Sequence, residues 1–182
     1  YYDQKKQLMR KANSQEIILF FNKEIFPIID SDSCQTVSIF DSYAVQLLVK
    51  NNGDGLKRFI ALLEKVRTKK HIKIYSREVP SAKQNLENKI KSKHSIEVIL
   101  LKDYGEARDF LRDHLHDRWI NIHGETSYMH QIVIGKGLSI FDEGYDGTYS
   151  FSHTFKKRSK DEEEHRYKDK KYLKEEFEIN SQ

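Results

Sequence analysis

The amino-acid sequence predicts an α/β fold in which a mixed β-sheet is flanked by helices. Short apolar runs typical of strands alternate with segments whose apolar residues recur at helical spacing, and this order favours parallel strands joined by right-handed crossovers. The run at 96–101 is apolar almost without interruption, as expected of a strand that is buried on both faces. With 182 residues the chain fits one domain with extensions and is long enough to bury a core.

The first part of the chain predicts a helix, a strand and a second helix. Residues 15–29 carry a broad apolar face and stop near Pro27, which is typical of a helix that docks on a core. Residues 37–40 predict a strand. Asparagine, glycine and aspartate at 51–55 break the chain before residues 56–67, where apolar residues return at helical spacing.

The remaining predicted elements complete the sheet. In chain order they are a strand at 71–75, a helix at 80–91, the strand at 96–101, a strand that contains His116, and strands at 130–134 and 148–155. Pro80 at the start of this third helix suits the first helical turn. We expect antiparallel pairing among the last three strands.

The most informative motif is the run His116-Asp117-Arg118. Successive side chains on a strand point to opposite faces, so His116 and Arg118 share one face while Asp117 and Trp119 share the other. A histidine beside a permanent cation suits a phosphate oxyanion. Trp119 is predicted to anchor the core instead.

A second run, Gly135-Lys136-Gly137, follows the next predicted strand. The two glycines allow a close backbone approach and conformations that residues with a β-carbon avoid. Site residues of open α/β folds gather near strand ends. We therefore predict that Lys136 converges with His116 and Arg118 in one pocket, with Asp41 at the end of a neighbouring strand.

These motifs resemble the phospholipase D-like superfamily, in which His-x-Lys, a later aspartate and a Gly-Ser turn form half of a phosphodiesterase site. They are more similar to the MIT C-terminal domain family, which has His-Asp-Arg and then Ile-Gly-basic-Gly-Leu before an aromatic residue. Residues 134–138 match the Ile-Gly-basic-Gly-Leu run, and Phe141 matches the aromatic residue that follows it. An Asp-Pro-Tyr of that family is similar to Asp41-Ser42-Tyr43, with serine in place of proline.

The resemblance implies a phospholipase D-like domain at residues 36–155, preceded by a helical extension at 1–35. Residues 156–182 follow as a charged tail that is either helical or disordered. Between residues 156 and 176 the tail holds nine Lys or Arg and seven Asp or Glu.

The resemblance also assigns roles. His116 is the nucleophile if the protein is active, and the phosphate-binding residues are Arg118, Lys136, Gly135 and Gly137. Asp41 and Asp117 orient neighbouring groups or stabilise the structure. An enzyme of this kind needs two histidines, so a chain with one motif must form a homodimer.

Two departures from the superfamily pattern argue against hydrolysis. Arg118 stands at the position of the motif lysine, and His123 stands where its aspartate would be. A missing carboxylate removes the group that orients the histidine. An alternative interpretation is structural: Arg118 forms a buried ion pair with Asp41 or Asp117 and holds the sheet together.

Charge is unevenly distributed along the chain. Residues 57–93 hold twelve Lys or Arg and three acidic residues, an excess of nine, so the net charge of +4 leaves the rest at about −5. A basic patch that includes Lys69, Lys70 and Lys73 is predicted to attract nucleic acid or an anionic lipid surface. The alternative is that these lysines form the solvated faces of helices.

Other features set looser limits. A single cysteine, Cys34, fits a reducing compartment, and with no long apolar run we expect a cytoplasmic protein. Tyr1 at the start indicates a fragment whose partner domains are missing. The histidines lack thiolate or carboxylate ligands at suitable spacing, so we expect no metal and no cofactor.

Three functions remain open at this point. The favoured one is a non-catalytic phospholipase D-like module that binds a phosphate-bearing ligand, either nucleic acid or anionic lipid. Lys, Asn and Ile are abundant, as in AT-rich microbial genomes, so by fold-level analogy the setting is a nucleic-acid-processing or phage-defence protein. The alternatives are a dimeric metal-independent phosphodiesterase or nuclease that uses His116, and a protein-interaction or dimerisation domain.

Overall fold

A computed structural model describes residues 4–115, 118–159 and 166–179, with side chains from residue 11 onward. The strands are β1 (Gln4–Asn13), β2 (Thr36–Phe40), β3 (His71–Arg77), β4 (Ser95–Leu101), β5 (Arg118–His123), β6 (Tyr128–Ile134), β7 (Asp146–Lys157) and β8 (Leu173–Ile179). The helices are α1 (Ser14–Glu24), α2 (Phe26–Ile29), α3 (Ala44–Val49), α4 (Gly55–Leu63), α5 (Ala82–Lys89) and α6 (Gly105–His114), and one 3-10 turn (Gly137–Phe141) follows β6.

The strands form one sheet in the order β1-β7-β6-β5-β2-β3-β4-β8. Strands β2, β3 and β4 are parallel, and the other neighbouring pairs are antiparallel. The helices lie on both sides of the sheet. The predicted class, α/β with a mixed sheet flanked by helices, is confirmed.

Helices α1 to α5 cover one face of the sheet and enclose the larger core. Its members include Phe21 of α1, Phe59 of α4 and the buried isoleucines of the central strands. On the other face, α6 encloses a smaller core around Phe40 and Tyr75, whose rings stack with centroids 4.5 Å apart. Trp119 stacks on Phe40 at 4.8 Å, so its predicted role as a core anchor is confirmed.

The first helix begins and ends where local chemistry requires. Asn13 forms a capping box with Glu16: the Asn13 side chain accepts from the Glu16 backbone N–H, and the Glu16 side chain accepts from that of Asn13. The single helix predicted at 15–29 is interrupted at Ile25, and Pro27 lies in the first turn of the short α2 instead of ending α1.

Both predicted flanking segments contribute a strand. Within the predicted helical extension, β1 pairs with β7 over its whole length. Within the tail predicted to be helical or disordered, β8 pairs with β4, and Phe177 and Ile179 lie opposite Val98 and Ile96. These two apolar residues alternate with exposed glutamates, which is the period of a strand. The division of the chain into three parts remains a prediction.

No helix among the described residues is long and apolar enough to cross a membrane.

His130 of β6 and His153 of β7 lie side by side, on the face of the sheet that helices α1 to α5 cover. Nδ1 of His130 lies 2.9 Å from Nε2 of His153, so one of these nitrogens donates and the other accepts. Burial and the neighbouring His153 lower the pKa of His130 from 6.5 to about 4. The pair therefore favours a neutral His130 in the folded protein.

We expect this pair to weaken the fold in mild acid. Below the ordinary pKa of 6.5 the unfolded chain binds a proton at His130, whereas the folded chain does so only near pH 4. Above pH 6.5 the lowered pKa of His130 therefore costs the folded state no stability, and the stability decreases as the pH falls towards 4. Urea unfolding at about pH 7 and about pH 4.5 should show a larger loss of stability in the wild type than in His130→Gln. Equal losses in the two proteins would contradict this prediction.

Candidate functional site

The candidate site lies where β2 ends, β5 begins and the turn after β6 returns. Because β5 runs antiparallel to β2, with Trp119 opposite Phe40, its first residue Arg118 lies beside Asp41. Because β6 runs antiparallel to β5, with Ile134 opposite Arg118, the 135–137 turn reaches the same point. The sheet register alone thus brings three distant segments of the chain together.

Asp41 is the centre of this junction and is only 4% exposed. Its Oδ1 accepts a hydrogen bond from the backbone N–H of Tyr43 at 3.0 Å, and its Oδ2 accepts one from that of Leu138 at 2.9 Å. Nε of Arg118 lies 3.7 Å from Oδ1, which makes an ion pair. The buried carboxylate is therefore satisfied by two backbone donors and one cation.

Arg118 is held from three sides and remains partly accessible. Its Nη1 donates to the carbonyl oxygen of Gly135 at 3.1 Å, and its guanidinium carbon lies 5.3 Å from the ring centroid of Tyr43. The side chain is 23% exposed. This arrangement includes the ion pair with Asp41 that the structural interpretation predicts, and it leaves the Arg118 side chain partly accessible to solvent.

Gly137 permits the close packing. Its φ of +60° lies in the left-handed region, and a β-carbon there would collide with Oδ2 of Asp41 and Cδ of Arg118. The space lined by Asp41, Arg118, Gly137 and Leu138 has a cavity volume of about 0 Å³. A ligand would therefore bind on the outer rim of this junction and not inside it.

Lys136 projects from the same turn and is exposed. It forms no hydrogen bond or ion pair with the residues that the structure describes. The predicted nucleophile His116 and its neighbour Asp117 lie outside the described residues. Asp41, Arg118 and the glycine turn lie together in the structure, and the convergence of His116, Arg118 and Lys136 in one pocket stays a prediction.

His123 lies away from this site, at the other end of β5. Five residue steps of about 3.3 Å put it roughly 16 Å from Arg118, and its Nδ1 accepts from Nη1 of Arg158 at 2.7 Å. The carboxylate beside Arg118 comes from Asp41 instead. His130 is paired with His153, and no cluster of three or more metal-ligating side chains occurs among the described residues.

Arg77 and Asp103 belong to the same edge of the sheet and were missing from the predicted site. Arg77 ends β3, the other neighbour of β2, and its guanidinium carbon lies 4.9 Å from the Tyr43 ring centroid. Its Nη1 donates to Oδ1 of Asp103 at 2.6 Å, just beyond the end of β4. Strand ends in the predicted parallel order could have indicated both residues.

The predicted basic patch lies at the opposite edge, near the start of β3. Lys69 is exposed and Lys73 is partly buried within β3. Lys70 is only 4% exposed, and its Nζ donates to the carbonyl oxygens of Ser31 at 3.0 Å and Cys34 at 2.6 Å. Placing Lys70 in a surface patch was therefore wrong, because its ammonium is used inside the protein to bind carbonyls near the end of α2.

No family model matches this chain, and no curated protein matches it. Among solved structures, the chain is similar to a crystal structure of a yeast tyrosyl-DNA phosphodiesterase mutant, with 10% sequence identity and a TM-score of 0.34. The similarity covers 81% of this chain and 32% of that one, so the chain spans about a third of that protein. A similarity at this level carries no argument, and the phospholipase D-like and MIT C-terminal assignments remain predictions from the motifs.

We expect Gly137→Ala to destabilise the protein by about 2 kcal/mol or more, because it adds a steric collision to the cost of a left-handed backbone, which alone is about 1–2 kcal/mol. Gly144→Ala is the matched control, since Gly144 has a φ of +75° and open space around its missing β-carbon. Urea unfolding of both variants would separate the two costs. Equal destabilisation would show that the close approach at Gly137 has no energetic consequence.

Proposed function

We propose that this chain is a non-catalytic module that binds a phosphate-bearing ligand at the rim formed by Arg118 and Lys136. The observation that carries the proposal is the position of the Arg118 guanidinium. It is oriented by Asp41 and by the Gly135 carbonyl, yet it is partly exposed at a strand end. A guanidinium whose orientation is already fixed loses little conformational entropy when it binds a phosphate.

Lys136 supplies the second cation. It follows directly after the residue whose carbonyl binds Arg118, and it is exposed. A phosphate that contacts both side chains would be held by the planar guanidinium of Arg118 and by the flexible ammonium of Lys136. The similarity of residues 116–118 and 134–138 to phospholipase D-like motifs supports a phosphate as the ligand.

The carboxylate at this site supports binding more than catalysis. Asp41 accepts two backbone hydrogen bonds and faces a guanidinium, so its charge is compensated by described groups that do not include a histidine. The motif lysine is replaced by Arg118, and the position of the motif aspartate is occupied by the distant His123. These features favour a retained phosphate-binding function without hydrolysis.

A single charge reversal should locate the binding surface. We expect Lys136→Glu to weaken binding of a labelled oligonucleotide, or of vesicles that contain phosphatidic acid, by about tenfold or more, and to lower the salt dependence by about one phosphate contact. Lys69→Glu is the matched variant, since it makes the same charge change at the opposite edge of the sheet. Fluorescence anisotropy and vesicle flotation over a salt series would measure both.

The outcome separates two surfaces. Loss of binding in Lys69→Glu together with normal binding in Lys136→Glu would contradict the proposed rim and support the basic patch. Unchanged binding in both variants would show that neither the proposed rim nor the basic patch determines binding.

We also expect no turnover of single-stranded DNA, duplex DNA, RNA or a generic phosphodiester. The alternative function, a homodimeric phosphodiesterase, requires His116 as nucleophile and a second copy to supply the acid. Removal of this nucleophile in His116→Ala would then lower the cleavage rate by several orders of magnitude. Cleavage that persists in EDTA and disappears in His116→Ala, with the fold intact by circular dichroism, would overturn the non-catalytic proposal.

A further inference from the structure

We propose that the ligand is single-stranded nucleic acid, bound along one edge of the sheet with bases stacked on Tyr43 and Tyr104. This inference rests on the proposed phosphate-binding function and extends its site. We call the surface the strand-end edge and define it as Lys136, Arg118, Tyr43, Arg77, Tyr104 and Arg108. It runs along the carboxyl ends of β2, β3 and β4 and includes the start of β5 and the end of β6.

The first observation is the exposure of two tyrosines. Among the described residues the exposed large apolar side chains are Leu19 at 68%, Tyr43 at 42% and Tyr104 at 53%. Tyr43 lies three residues beyond Phe40, the end of β2, and Tyr104 lies three residues beyond Leu101, the end of β4, and directly before α6. Two of the three exposed apolar residues thus lie on the edge that holds Arg118.

The second observation is that arginines occupy the positions around these rings. The guanidinium carbons of Arg77 and Arg118 lie 4.9 and 5.3 Å from the centroid of the Tyr43 ring, and Tyr43 nevertheless stays 42% exposed. Arg77 is joined to Asp103, the neighbour of Tyr104, by a hydrogen bond of 2.6 Å. Nε of Arg108 lies 3.8 Å from the same carboxylate, and the Arg108 side chain is 69% exposed.

The third observation is the charge balance of the edge. Its four cations are Lys136, Arg118, Arg77 and Arg108, and the two carboxylates that they meet are Asp41 and Asp103. Asp41 is buried and engaged by the backbone, and four cations against two carboxylates leave an excess of two positive charges, of which the exposed Glu106 of α6 offsets one. Glu78, also on this side, is 3.8 Å from Nζ of Lys174 and accepts from the backbone of Asp103.

Alternating aromatic and cationic side chains favour single strands over other phosphate ligands. Every base presents a π-face to stack on an aromatic ring, and arginine and lysine follow the phosphates. A lipid headgroup has no ring to stack, and the bases of a duplex already stack on one another. Five adjacent strands at about 4.8 Å spacing make the edge roughly 19 Å long, which suits a run of several nucleotides.

Tyrosine substitutions provide the test. The probe is a labelled oligothymidylate of about 15 nucleotides, within the range of known single-strand sites. We expect Tyr43→Ala and Tyr104→Ala each to weaken binding about tenfold, which lies in the lower half of the range for one lost stacking contact. Tyr43→Phe and Tyr104→Phe should retain binding, because they keep the ring. Leu19→Ala is the matched control for loss of an exposed apolar side chain on the remote α1.

Each outcome decides the inference. If Lys136→Glu abolishes oligonucleotide binding while both tyrosine-to-alanine variants bind normally, the stacking site is refuted and the phosphate site stands. Binding to phosphatidic acid vesicles but not to oligonucleotides would also refute the stacking site and leave the phosphate site standing. Equal affinity for duplex and single-stranded oligonucleotides would lead to the same conclusion. Absence of binding to every one of these probes would overturn the stacking site and the proposed function together.

Discussion

The site depends on one buried carboxylate, that of Asp41. A charge at 4% exposure is costly unless donors and a cation compensate it, and here one of the two backbone donors comes from a turn 97 residues away in sequence. The bond to the Leu138 N–H fixes the 3-10 turn after β6, and the contact with Arg118 fixes the start of β5. The same carboxylate therefore joins the parallel and antiparallel parts of the sheet.

The mixed topology explains why cations gather at one edge. Parallel strands β2, β3 and β4 all end at this edge, and their last residues and following turns supply Asp41, Arg77 and Asp103. Antiparallel β5 begins there, which adds Arg118 to a line of strand ends. An all-parallel sheet would have placed the amino end of this strand at the opposite edge, beside Lys69. The reversal at β5 is thus the architectural step that builds the site.

Sequence patterns predicted the fold class because the central strands and helices α1 and α4 have clear apolar periods. They missed α6, whose ten residues include six charged or histidine side chains and bury only Ala107, Phe110 and Leu111. They also missed β8, because exposed glutamates conceal the alternation of Phe177 and Ile179.

For the site, glycine spacing and strand alternation pointed to Arg118 and Gly137. Lys70 was misplaced because sequence cannot show that a lysine binds buried carbonyls, and Arg77 was missed although the predicted parallel order of the strands could have indicated it.

The order of residues along the edge connects structure to function. Asp41 and Asp103 each hold an arginine by its guanidinium, and each is followed in sequence by an exposed tyrosine, Tyr43 after one intervening residue and Tyr104 directly. Each unit thus consists of a carboxylate that orients a cation and a ring that stays in solvent. Burial of these tyrosines would stabilise the fold, since a tyrosine ring carries a large apolar area. The protein leaves that stabilisation unused at the ends of β2 and β4, which is expected where rings are kept for an external partner.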